Sequence, residues 1–298
     1  MAQTFRLASG RTLSYQVRGS QSSDAVPFVY LHGTPSAYPV MNTLSSGCEK
    51  RNFKLISYSR SGYGDSTRNK GRSIIDVVDD VRALLEHLGL KGRPCVVGGW
   101  SGGGPHVLAC AARLEGCVGA LCVAGVAPYD AEGLDWLEGQ GDDNIQETKA
   151  ALEGEEALQK FVGEQRIGLL GADAAGIIQE MSSILPDADK KALSENKEMG
   201  DYCAESFQVA LQHSGDGWVD DGLAFVKPWG FELSEIKAKV FLYQGSVDLM
   251  VPYGHGQWLA KNIPQKYLVS HLIEGEGHIS IWLDYMQSML DELSSVSS

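Results

Sequence analysis

The 298-residue sequence contains no apolar run near the roughly 20 residues needed to cross a bilayer, so a membrane-spanning helix is not expected. Its opening stretch, MAQTFRLASGRTLSY, lacks the apolar core of a secretory signal, which predicts a cytoplasmic protein. No Cys-x-x-Cys spacing occurs among Cys48, Cys95, Cys110, Cys117, Cys122 and Cys203, and most of them fall in apolar contexts. That pattern predicts buried free thiols rather than a disulfide framework or a zinc site. Positive charge is also scarce: 25 Lys and Arg face 38 Asp and Glu, a net charge of −13. Nucleic acid and anionic membrane are therefore poor partners. With 43% hydrophobic residues the chain is long enough to bury a large core.

The acidity is not spread evenly. Between Pro128 and Lys237 lie 24 of the acidic and 8 of the basic residues, a balance of −16, while the remainder carries +3. Outside that segment, apolar strand-like runs alternate with helical stripes. Residues 4–9 and 12–18 read as a hairpin, and 26–31 and 53–58 as apolar strands. Ser73 caps a helix whose stripe runs from Ile74 to Leu88 and stops at Gly89. Strands at 93–98 and 118–124 follow, separated by a helix. Such alternation predicts a mostly parallel sheet with helices on both faces. At Pro128 the rhythm breaks into helical patterns at 145–162, 164–170, 174–184, 187–198 and 200–213. It resumes with a strand at 239–244, a helix near 254–263, a strand at 267–273 and a helix over 279–293. The expected organisation is thus a core of residues 1–127 and 238–298 with an all-helical cap, 128–237, inserted between two strands.

Glycine, by contrast, is crowded into VVGGWSGGGPH, residues 96–106, which holds five glycines around Trp100 and Ser101. A flexible linker would join polar surfaces, but this stretch joins an apolar strand to a buried-looking helix. A phosphate-binding loop would carry a lysine after the glycines, and none is present. What fits is Gly99-Trp100-Ser101-Gly102-Gly103, a G-x-S-x-G turn so tight that the serine takes an unfavourable backbone conformation, at about 1–3 kcal/mol.

A serine hydroxyl needs a base, and the base an orienting acid. Parallel strands collect their carboxyl ends on one edge, so both are sought just past strand ends. Of the seven histidines, His278 leaves a strand directly in Glu274-Gly275-Glu276-Gly277-His278. His32, His87, His106, His213, His255 and His271 fall within helix, strand or structural positions. Asp248 leaves a strand in Gly245-Ser246-Val247-Asp248. The order Ser101, Asp248, His278 is the one associated with the nucleophile elbow. Acyl transfer also needs N–H donors for a developing oxyanion. The Gly102 amide is one candidate, and Thr34, after His32-Gly33, supplies the other. Trp100 and Gly33 are the candidate pocket-lining residues.

On these residues the sequence resembles the α/β-hydrolase family, in its capped serine-hydrolase branch. The resemblance rests on His32-Gly33-Thr34-Pro35, Arg60-Ser61-Gly62-Tyr63-Gly64, Gly99 to Gly103, Gly245 to Asp248 with Val251-Pro252, and Gly277-His278. Ser59 and Ser61 depart from it, standing where many relatives carry Asp and Pro. A serine at 101 disfavours the haloalkane dehalogenase and epoxide hydrolase branches, which use a carboxylate nucleophile. Trp100 precedes the serine, where proline iminopeptidases usually place tryptophan after it. The resemblance implies a hydrolase acting on a small-molecule substrate, an uncharged or cationic ester, lactone, thioester or amide, through an acyl-enzyme, with no metal or organic cofactor. Its alternatives are an acyltransferase, a cyclase, a C–C-bond cleaving enzyme, or a ligand receptor of the same fold.

If the acidic segment covers the sheet edge, its field should repel anions and concentrate cations, fading as the Debye length falls to about 8 Å at physiological salt. The expected outcome is that kcat/KM falls with added salt for an amine-bearing ester, rises for a carboxylate-bearing one, and stays nearly flat for a neutral isostere. Parallel responses of all three would leave the charge without a role.

Overall fold

The alternation of strand and helix patterns becomes one eight-stranded sheet in the computed structural model, which describes residues 2–297. The strands are β1 (Gln3–Arg6), β2 (Thr12–Gly19), β3 (Val26–Leu31), β4 (Phe53–Tyr58), β5 (Cys95–Trp100), β6 (Cys117–Val123), β7 (Lys239–Gly245) and β8 (Leu268–Ile273). They lie in the order β1-β2-β4-β3-β5-β6-β7-β8. The β1–β2 hairpin joins β4 antiparallel, and every pairing from β4 to β8 is parallel. All six parallel strands therefore end on the same edge.

Because successive side chains on a strand point to opposite faces, the core divides in two. On β3, Val29 and Leu31 pack on one face while Phe28 and Tyr30 pack on the other. On β7, Val240 and Leu242 oppose Phe241 and Tyr243 in the same way. The first face is covered by α2 (Val77–His87), α3 (Gly103–Arg113) and α10 (Tyr253–Asn262). The second is covered by α1 (Asn42–Lys50) and α11 (Ser280–Ser295). Ser73 does open the α2 region: its N–H donates to Asp76 Oδ2 at 2.8 Å in a capping box, and one 3-10 turn precedes the helix.

Six α-helices lie between β6 and β7, with no strand among the described residues of that stretch. They are α4 (Asp142–Glu153), α5 (Glu155–Leu169), α6 (Ala174–Glu180), α7 (Asp187–Glu195), α8 (Lys197–Leu211) and α9 (Asp216–Phe225). The helix read over 145–162 is in fact two, divided at Gly154, whose φ of 126° no helix tolerates. Helix α9 was not expected. Two glycines and three aspartates in ten residues disfavour a helix by propensity, but tertiary contacts overrule this. Arg68 bonds both oxygens of Asp220, at 2.9 and 2.8 Å, and Gly217 N–H donates to the Gly62 carbonyl at 3.1 Å.

The glycines of the 96–106 stretch are explained by close approach. A Cβ on Gly99 would lie 2.6 Å from the Leu31 carbonyl oxygen, and one on Gly103 would overlap the same atom. Helix α3 thus starts directly against the end of β3. Gly103→Ala should push that start away and destabilise the fold by about 1–3 kcal/mol, read as a lower midpoint in urea unfolding. An unchanged midpoint would contradict the close packing.

Candidate active site

Ser101 sits between the end of β5 and the start of α3 with φ of 58°, in the left-handed region that a residue with a Cβ rarely adopts. Its own N–H is bonded to the Val123 carbonyl at 2.9 Å, and its carbonyl accepts from Gly104 N–H at 2.8 Å, so both backbone groups of the strained residue are held. The side chain is left in a cleft at the carboxyl edge of the sheet, with no hydrogen bond to a described residue.

Asp248 and His278 meet there. His278 Nδ1 is 2.7 Å from Asp248 Oδ2, and both side chains are buried. The other carboxylate oxygen, Oδ1, accepts from the N–H groups of Met250 and Val251 at 2.8 and 2.9 Å. With the carboxylate so fixed, Nδ1 carries the proton and Nε2 is the free nitrogen of the neutral ring. Burial pushes the His278 pKa down, but the charge and hydrogen bond of Asp248, with Asp189 adding to them, raise it above the ordinary imidazole value. Trp100 holds the same residue from a third side. Its indole N–H donates to the His278 carbonyl at 3.0 Å, and its ring stacks on the imidazole at 5.3 Å. Trp282 stacks behind it at 5.8 Å.

Thr34 follows β3, which neighbours β5, so its loop lies beside the Ser101 turn. A Cβ on Gly102 would overlap Thr34 Oγ1, and one on Gly33 would lie 3.4 Å from Ser101 Cβ. The Thr34 and Gly102 N–H groups have no acceptor among the described residues. The Thr34 hydroxyl donates to Asp221 Oδ2 at 2.7 Å and accepts from Arg60 at 3.0 Å. Arg60 also donates to the Gly33 carbonyl at 2.9 Å and to the His32 carbonyl. His32 Nε2 accepts from the Arg60 N–H at 2.9 Å, so His32 is a structural bridge.

Two carboxylates of the inserted helices were missed by the sequence reading. Asp221 of α9, fully buried, takes Arg60 at 2.6 Å, Arg72 at 2.6 Å and the Tyr63 hydroxyl at 2.8 Å. Burial alone would raise its pKa, but the two guanidinium charges hold it well below the ordinary carboxylate range. Asp189 of α7 accepts from the N–H groups of His278, Ile279 and Ser280 at 2.8, 2.9 and 2.9 Å, capping α11 and fixing the histidine loop. Gly277 is needed beside it, since a Cβ there would overlap the Asp189 carboxylate. No local signal distinguishes these aspartates from the segment's many solvated acids.

Ser101 and Thr34 face two adjoining cavities. The larger, enclosing about 1020 Å³ of space including its open mouth, also takes in Gly102 and side chains of α4, α5, α6 and α9. The smaller, about 560 Å³, is bounded by Gly33, Trp100 and His278.

The sheet order, the elbow and the strand-end positions of Asp248 and His278 define an α/β-hydrolase fold. The model of the alpha/beta hydrolase family matches residues 28–292, and the chain belongs to that family and is an enzyme of the hydrolase type. It is 22% identical over 273 residues to an AB hydrolase superfamily protein of Bacillus subtilis, YisY, covering 90% of this chain and 91% of that one. Among solved structures, a thermophilic esterase from Thermogutta terrifontis superposes with a TM-score of 0.65 at 19% identity, covering 100% of both chains. The enol-lactonase from Burkholderia xenovorans superposes with a TM-score of 0.63 at 17% identity, covering 99% of each. At these identities the superpositions show the shared fold.

The His278 environment can be read directly by NMR titration. Its midpoint should lie above the ordinary imidazole value in the wild type and fall in Asp248→Asn, because burial persists while the opposing charge is lost. A midpoint that does not move would contradict the role given to the Asp248 charge.

Proposed function

We propose that this protein is a serine hydrolase that cleaves an ester, lactone, thioester or amide through a covalent acyl-enzyme. The observation that carries the reading is the strained Ser101 opening into the same cleft as a histidine tied to a buried aspartate. In this reading Ser101 Oγ attacks the carbonyl carbon while His278 Nε2 takes its proton. Asp248 holds the ring in the right tautomer and stabilises the imidazolium. The free Gly102 and Thr34 amides receive the developing oxyanion, and His278 returns the proton to the leaving group. Water, activated by the same nitrogen, then releases the acid. Esters and lactones come first, because their leaving groups need less assistance; the esterase and the enol-lactonase of like fold support that order.

The helices between β6 and β7 are read as a cap that walls the larger cavity. A cytoplasmic location belongs to the same reading, supported by six unpaired cysteines whose burial keeps most of the thiols protonated. No helix among the described residues is long and apolar enough to cross a membrane.

A fluorophosphonate should label Ser101. Ser101→Ala should abolish labelling and lower ester turnover by about 10⁴-fold or more while leaving the unfolding midpoint no lower, since the strained site loses only a hydroxyl. Labelling of a different serine would remove the assignment.

A further inference from the structure

The larger cavity has a wall of one sign. Asp143 and Glu147 of α4 and Glu180 of α6 line it, and no lysine or arginine does. The smaller cavity has no lysine or arginine either. Asp143 is already engaged, its Oδ2 accepting from the Ser183 hydroxyl at 2.5 Å. Glu147 is half engaged: Oε1 accepts from the Trp218 indole N–H at 2.8 Å, and no described residue donates to Oε2.

Gln140 supplies an independent observation. It is 8% exposed and lines the same cavity. Its Nε2 donates to the Trp136 carbonyl at 3.0 Å. A carbonyl only accepts, so the orientation of the amide is fixed, and Oε1 is left buried without a donor. A buried acceptor without a partner is costly and asks for a ligand that donates.

We propose that this cavity binds an ammonium group of the substrate, with Glu147 as its counter-ion and Gln140 Oε1 as a neutral acceptor. The proposal rests on reading Ser101 as the nucleophile, since that is what makes the cavity a substrate site. A primary ammonium brings three N–H donors and one positive charge, matching a wall that offers acceptors and negative charge. Trp136 and Trp218 also line the cavity, and aromatic rings near a cation favour it. A carboxylate-bearing substrate would meet three carboxylates and no cation. Burial raises the Glu147 carboxyl to about 7, with the Trp218 N–H lowering it and the Asp221 charge raising it. The carboxylate therefore lacks a positive partner within the protein, and the ligand supplies one. Were Glu147 present only to hold Trp218, a glutamine would serve equally well.

Calorimetric titration of the full chain at about pH 8, where the Glu147 carboxyl is ionised, compares benzylammonium with benzyl alcohol, a neutral molecule of nearly the same shape. Benzylammonium should bind at least about tenfold more tightly, and Glu147→Gln, which keeps an acceptor for Trp218, should remove that advantage. No measurable ammonium binding, equal affinities in the wild type, or an advantage that survives Glu147→Gln would each overturn the ammonium site. Fluorophosphonate labelling of Ser101 in the same preparation reads the nucleophile separately. Failed labelling with the ammonium preference intact would remove the hydrolase reading and leave the cation site standing.

Discussion

The Thr34 side of the sheet edge is tied to one buried ionic cluster: Asp221 held between Arg60 and Arg72, all three almost wholly shielded from water. Two guanidinium groups in such a place need their counter-charge. Removing one member of a buried pair typically costs about 3–5 kcal/mol, because the other is left uncompensated. Here a single carboxylate serves two cations, so the dependence is sharper. The same Oδ2 receives the Thr34 hydroxyl and the Tyr63 hydroxyl, and Arg60 reaches on to the His32 and Gly33 carbonyls. The loop that presents the Thr34 amide beside Ser101 is therefore held from behind by charge.

A second carboxylate repeats the device on the other side of the serine. Asp189, from α7, takes three backbone N–H groups at the start of α11 and so fixes His278 where its ring meets Asp248 and Trp100. Burial raises its pKa despite these bonds, and the N–H groups and the nearby imidazole favour its ionised form. Both carboxylates come from the helices inserted between β6 and β7, while the loops they hold belong to the sheet. The inserted helices thus position two parts of the site as well as lining its cavity.

Much of this was legible in the sequence, for physical reasons that differ by element. Strands β3 to β7 were legible because strands buried on both faces read as continuous apolar runs. The Ser101 turn was legible because only glycine permits so close an approach, as the contacts of Gly99 and Gly103 with Leu31 illustrate. Asp248 and His278 were legible by position, just past strand ends. Helix α1, NTLSSGCEK, was not, because it buries only Leu44, Gly47 and Cys48 and carries no strong apolar stripe. Helix α9 was not, because its stability comes from Arg60, Arg68 and Arg72, some 150 residues away along the chain. Asp189 and Asp221 were hidden for a related reason. In a segment with 24 acidic residues, nothing local marks the few that turn inward.

In the proposed function, bond cleavage passes through an ester of Ser101. Rapid-quench mass spectrometry during turnover of an activated ester tests it most directly. A transient mass increase equal to the acyl group is expected, confined to the peptide that contains Ser101, rising before the steady state and decaying as substrate is consumed. Turnover at full rate with no adduct at any quench time, or an adduct carried on another residue, would contradict it.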